Sequence, residues 1–185
     1  MSMRRWNPES RTYVSYTPEK RKYPFLNDEL RQQLQKIEPS NDGMMNYFPC
    51  MIMLSSGKQV DCVYFAEADS YIKIGGVWPD EDDGKKFIKI EDVASIYPSP
   101  SRLPFQLAQK MYKSGESGMG YCVFTLKFRD GFTQAYLCGN AIDFVSLPTG
   151  KTMADVVDLL PHEGRKEQQM PKLDYWWCLF GTEQK

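Results

Sequence analysis

The sequence predicts a mostly-β protein of the α+β class, and three observations carry that expectation. Short runs of β-branched, aromatic and other apolar residues recur between Tyr47 and Pro98 and again between Tyr121 and Pro161, separated by turn residues. In the second region Cys122, Phe124, Leu126 and Phe128 fall on one face, and Thr125, Lys127 and Arg129 on the other, which is the period of a half-buried strand. Asp130-Gly131 and Gly139-Asn140 then bracket the run 132–138 as hairpin turns.

Residues 1–46 read as a basic, aromatic arm followed by a short helix. The arm carries Arg4, Arg5, Arg11, Lys20, Arg21 and Lys22 interleaved with Trp6, Tyr13, Tyr16, Tyr23 and Phe25. Asn27 stands where an N-cap belongs, Asp28 and Glu29 occupy the first turn, and Leu30, Leu34 and Ile37 have helical spacing, so 28–37 is expected to be helical.

Residues 47–99 read as a first β unit with strands at 48–54, 59–66, 70–74, 86–90 and 93–97, punctuated by Ser55-Ser56-Gly57 and by the acidic loop 79–84. Residues 100–119 hold a helix at 103–113, with Pro104 in its first turn and Gly115 as its stop, followed by a glycine-rich loop. A second β unit follows at 120–163, and the aromatic tail 164–185 is expected to pack on the body, because its Leu173, Tyr175, Trp176, Trp177, Leu179 and Phe180 are too apolar to stay in water.

The two β units share an order of landmarks. Gly57, Tyr64-Phe65, Tyr71-Ile72-Lys73-Ile74, Gly84-Lys85-Lys86 and Asp92-Val93-Ala94-Ser95-Ile96-Tyr97-Pro98 have counterparts in Gly131, Tyr136-Leu137, Phe144-Val145-Ser146-Leu147, Gly150-Lys151-Thr152 and Asp155-Val156-Val157-Asp158-Leu159-Leu160-Pro161. A tandem duplication is the expectation. Five short strands with tight turns resemble, at the level of fold alone, an SH3-like or Sm-like small barrel or a strongly bent sheet. Folds of that kind host peptide binding, RNA binding and structural roles, so the likeness does not name an activity.

Composition narrows the function classes. Twenty-three lysines and arginines against 24 acidic residues give no global field for nucleic acid or acidic lipid. No apolar run is long enough to span a bilayer and the first residues lack the apolar stretch of a signal peptide, so a cytoplasmic protein is expected. Five widely spaced cysteines, no C-x-x-C pair and a single histidine, His162, offer no metal set, and no cofactor is expected.

Several strings imitate chemistry. Gly150-Lys151-Thr152 lacks the glycine of a P-loop, since Val145 stands in its place. Asp80-Glu81-Asp82-Asp83-Gly84 would place Pro79 and Ile90 at the end positions of a calcium loop, where neither coordinates. Ser117 is not in a G-x-S-x-G elbow, because Met119 occupies the last position. The remaining candidates are contact residues: Trp78, the loop residues Glu116, Ser117, Gly118 and Tyr121, and the tail residues Trp176 and Trp177.

The sequence reading is therefore a non-enzymatic module that binds a protein. One alternative is an RNA or single-stranded DNA binder using the basic arm, where rings stack on bases and cations track phosphates. A second is a hydrolase in which His162 folds back over Ser117, with Glu116 or Asp155 as orienter.

Overall fold

A computed structural model describes residues 3–17 and 21–182; for Met3, Arg4 and Arg5 it describes the backbone. In chain order the elements are β1 (Met3–Asn7), β2 (Thr12–Tyr16), α1 (Asp28–Leu34), β3 (Ser40–Asn41), β4 (Asn46–Leu54), β5 (Gln59–Glu67), α2 (Ala68–Gly75), β6 (Lys86–Ile88) and β7 (Val93–Pro98). They continue with α3 (Phe105–Ser114), β8 (Cys122–Phe128), β9 (Thr133–Cys138), β10 (Val156–Pro161), β11 (Gln169–Met170) and β12 (Trp176–Phe180). Among the described residues this is a mostly-β, α+β protein with three short helices and three sheets.

None of the sheets closes, so the barrel expectation gives way to open sheets. In the first, β4 is flanked on one side by β3 and β7 and on the other by β5. The order then runs β5-β12-β6, with β12 parallel to both neighbours. The second sheet has the order β10-β8-β9-β11, and β1 and β2 form a separate antiparallel ribbon. The free edges of β5 and β9 are thus taken by parallel strands from the C-terminal part of the chain, which replaces closure of each unit on itself.

The segment 70–74, expected as a strand, lies in α2. Its apolar residues follow the helical period: Ala68 and Tyr71 are buried three positions apart, and Gly76 closes the helix with φ 72°. Helix α1 begins as expected, with the Asn27 side chain accepting from the Leu30 N–H at 2.8 Å, but ends at Leu34, the next residues being tied by the Ile37 N–H to Leu34 carbonyl bond of 3.0 Å.

Two antiparallel strand pairs, β4-β7 and β8-β10, repeat one register. On β4, Cys50, Met51, Ile52 and Met53 pair with Pro98, Tyr97, Ile96 and Ser95, and the register then slips so that Leu54 meets Val93. On β8, Phe124, Thr125, Leu126 and Lys127 pair with Pro161, Leu160, Leu159 and Asp158, and the same slip brings Phe128 to Val156. The contacts past the slip match as well: the Ser55 N–H donates to Asp92 O and the Arg129 N–H to Asp155 O, each at 2.8 Å. The counterpart proposed for α2, residues 144–147, is not helical.

Strand β12 carries Trp177, Cys178, Leu179 and Phe180, all buried, into the middle of the first sheet. Burying such side chains contributes on the order of 1.5–3 kcal/mol each. Leu179 and Trp177 join Tyr47, Tyr64, Tyr71, Trp78 and Phe144 in an aromatic cluster that includes residues of both β units.

At the edge of that cluster sits Asp143, a carboxylate with no exposed surface. Its Oδ1 accepts from Ser40 Oγ at 2.6 Å and stands 3.5 Å from Arg102 Nε, while its Oδ2 accepts from Tyr112 OH at 2.6 Å and from Tyr64 OH at 3.4 Å. Its own N–H donates to Tyr64 OH at 3.2 Å, and its carbonyl accepts from the Leu103 N–H at 2.8 Å. Burial raises the Asp143 carboxyl above its ordinary value, opposed by Ser40, Tyr112 and Arg102. Burial likewise pushes Tyr64 and Tyr112 well up, so both remain protonated donors.

Asp143→Asn retains shape, but its amide turns an N–H group toward Ser40 or Tyr112 and leaves one of these hydroxyls without its acceptor. It is expected to lower stability by about 2 kcal/mol in urea titration. Because the folded state raises this carboxyl, the stability it contributes is complete below the ordinary carboxylate range and declines as pH rises through the raised value. The deficit of the variant is therefore expected to be larger below about pH 4 than at pH 8; a deficit under about 0.5 kcal/mol, or one growing with pH, contradicts this account.

Candidate interaction loop

The loop 114–121 connects α3 to β8, and many of its polar groups hold its shape. Gly115 leaves the helix with φ 76°, and its N–H donates to Tyr112 O at 3.2 Å. The Ser117 and Gly118 N–H groups both point at Tyr121 O, at 2.9 and 3.3 Å, and the Tyr121 N–H returns to Gly118 O at 3.2 Å. The Glu116 carboxylate accepts from the Gly120 N–H at 2.8 Å and from Asn140 Nδ2 at 2.7 Å. Arg165 donates to Tyr121 OH at 3.0 Å and also to Ser117 O.

Gly118 is dictated by space: a Cβ there would come within 2.4 Å of the Tyr121 ring. Gly120 answers a different need, its φ of 77° being the left-handed conformation that side chains resist. Between these glycines Met119 is 99 % exposed, so the bracing ends in one apolar side chain held in water.

The structure brings Ser117 and His162 together. Ser117 Oγ lies 2.8 Å from His162 Nδ1, and His162 Nε2 is 3.2 Å from Ser114 O. A carbonyl accepts only, so Nε2 carries the proton and Nδ1 is free to accept from Ser117. His162 reaches the loop because its backbone adopts φ 63°, with its N–H bound to Val123 O at 2.8 Å.

The same hydroxyl also accepts from the Val123 N–H at 2.8 Å and lies 3.2 Å from Val123 O, which ties it to the start of β8. The orienter expected of a triad is elsewhere, since Glu116 faces Gly120 and Asn140, and Asp155 caps its own turn through Thr152. The N–H groups of Ser117 and Gly118 face Tyr121 O instead of an oxyanion. The neighbouring cleft, lined by Asp42, Gly115, Glu116, Cys122 and Asn140, has a volume of only about 20 Å³. Ser117 and His162 are thus arranged to brace the loop.

The other candidate residues are dispersed. Trp78 is 3 % exposed, covered by Tyr23 at 5.2 Å between ring centroids and by the Arg21 guanidinium at 5.3 Å. Trp177 is buried in β12, and Trp176, half-buried, lies under the Lys86 ammonium at 5.6 Å. Arg21 pairs with Asp80 at 2.7 Å and with Glu81, so the acidic loop neutralises part of the basic arm. Arg11 and Lys22 are exposed, and Trp6 and Tyr13 form an edge-to-face pair 5.3 Å apart on the ribbon, 52 % and 67 % exposed. Arg4 and Arg5 pair with Ser15 and Val14 across the ribbon, and Lys20 lies outside the described residues.

The cysteines are buried free thiols. Burial raises Cys122 to about 11 and Cys138 to about 12, which keeps both protonated at neutral pH and poor as nucleophiles or ligands. Among the described residues no group of acidic, cysteine and histidine side chains is placed to hold a metal ion. Asn140 and Arg165, which fix the loop, and Met119, which it presents, were not among the candidate site residues of the sequence; a methionine between two glycines was the available signal for the last. No protein-family model, curated protein or solved structure proves similar to this chain.

Ser117→Ala leaves the part-buried Val123 N–H without its acceptor and is expected to cost about 1–2 kcal/mol in urea titration. Unchanged stability together with labelling of Ser117 by a fluorophosphonate would instead make this serine a nucleophile.

Proposed function

We propose that the protein is a non-enzymatic protein-interaction module whose contact element is the loop 114–121. The observation that carries this reading is the combination of a loop braced at Glu116, Ser117 and Tyr121 with a fully exposed Met119 at its tip. A rigid loop loses little conformational entropy on binding, and an unbranched thioether side chain adapts to an apolar partner surface. The burial of Trp78 and Trp177 shifts the contact role from these aromatics to the loop.

A second reading rests on the ribbon, where the exposed Trp6 and Tyr13 could stack on bases of RNA or single-stranded DNA. Against it, Glu81, Asp82 and Asp83 line the same cleft as Trp6 and repel phosphate. We also infer that the two β units descend from one duplicated unit, a reading supported by the shared register and slip of β4-β7 and β8-β10. Among the described residues no helix is long and apolar enough to cross a membrane, and free thiols at all five cysteines favour a cytoplasmic setting.

Met119→Lys changes only a solvent-facing side chain, so the melting temperature is expected to stay within about 1 °C, near-neutral surface changes being the rule. Retention of protein partners from nuclease-treated lysate on the immobilised chain is expected to fall at least about tenfold, the loss of one hot spot. Unaltered retention contradicts the proposal, and recovery that is lost with nuclease and with Trp6→Ala favours the ribbon reading.

A further inference from the structure

A second braced turn lies beside the first. Asn41 Oδ1 accepts from the Gly43 N–H at 2.6 Å, and Asp42 Oδ1 accepts from the N–H groups of Met44 and Met45 at 2.9 and 3.0 Å. Asn41 Nδ2 donates to Asn46 Oδ1 at 2.7 Å, which closes the turn across the base of β3 and β4. Gly43, with φ 87°, permits the reversal, and Met44 is 55 % exposed. Asp42 from this turn and Gly115 and Glu116 from the loop 114–121 line one cleft, so the two turns are neighbours, each carrying an exposed methionine.

Among the described residues neither Asp42 nor Glu116 forms a salt bridge. Every hydrogen bond described for Asp42 and Glu116 comes from a neutral donor: backbone N–H groups in the first case, the Gly120 N–H and the Asn140 amide in the second. Arg165 is turned toward Ser117 O and Tyr121 OH. A cleft of about 20 Å³ has room for no more than a water, so a ligand meets the rim and not an interior. Two apolar tips beside two negative charges complement a segment that presents an apolar side chain next to a cation.

We infer that the turns 41–46 and 114–121 form one docking edge for a protein segment bearing lysine or arginine adjacent to an aliphatic or aromatic residue. This rests on the interaction reading above and adds to it the chemistry of the partner. Met44 and Met119 cover the apolar side chain, and Asp42 and Glu116 set the position of the cation.

The test is selection of random twelve-residue peptides on the full-length protein, followed by titration of the enriched peptides. Enrichment of lysine or arginine within two positions of an apolar residue is expected. Asp42→Asn keeps the Oδ1 acceptor of the turn while removing the charge, and is expected to weaken those peptides about fivefold, a charge-pair effect near the surface. Replacing Met44 and Met119 together with alanine is expected to weaken them at least about tenfold. In protein with ¹³C-labelled methionine methyl groups, the signals of Met44 and Met119 shift on peptide addition and that of Met53, near the far end of β4, does not.

Peptides that depend on Met119 but carry no cation, or that ignore Asp42→Asn, overturn the partner chemistry and leave the interaction reading in place. Stationary Met44 and Met119 methyl signals, or a selection that enriches nothing over an unrelated protein, overturn the docking edge itself.

Discussion

A buried carboxylate is the constraint from which the rest of this structure follows. Asp143 has no contact with water, and a charge or a polar acid in that position is tolerated only where donors surround it. The donors arrive from four places in the chain: Ser40 on β3, Tyr64 on β5, Arg102 ahead of α3, and Tyr112 within α3. Satisfying one residue therefore fixes the first sheet, the connecting helix and the loop after β9 relative to one another. Tyr112 also receives the Ile142 N–H at 3.1 Å, so the helix that ends at the glycine-rich loop is anchored two turns or fewer from it. The loop inherits its position from this core.

Strand β12 completes the same arrangement from the other end of the chain. By entering between β5 and β6 it adds apolar surface to the first sheet, and it brings Trp177 against Tyr64 and Tyr71, with ring centroids 5.2 and 4.9 Å apart. Small β units bury too little surface to be stable alone, and a strand borrowed from a distant segment is one remedy. The second sheet receives a shorter parallel strand, β11, in the corresponding place beside β9.

What could be read from the sequence was local. The N-cap at Asn27, the turns at Gly57 and Gly131 and the paired Asp-Val segments at the starts of β7 and β10 are set by neighbouring residues, and each has its structural counterpart; β8 is a strand as its alternation predicts, but Val123 and Thr125 are buried too, so it is not half-buried. The helix α2 was misread because Tyr71, Ile72 and Ile74 imitate a strand in a five-residue window, whereas Ala68, Tyr71 and the left-handed Gly76 show their period only over nine. Pairing of β12 with β5 spans more than a hundred residues and leaves no mark within either segment. The meeting of Ser117 with His162 depends on a positive φ in a non-glycine residue, and the partners of Asp143 on tertiary packing; a lone acid inside the apolar run Ala141-Ile142-Asp143-Phe144-Val145 was the one hint of the latter.

The central claim is that the loop 114–121 is held rigid before any partner arrives. Backbone amide relaxation by NMR on the free, full-length protein measures this directly. Order parameters for Glu116, Ser117, Gly118 and Tyr121 at the level of β8, about 0.85, are what the bracing predicts. Values below about 0.6 across those residues would contradict it, because a loop that moves freely offers no pre-formed contact surface.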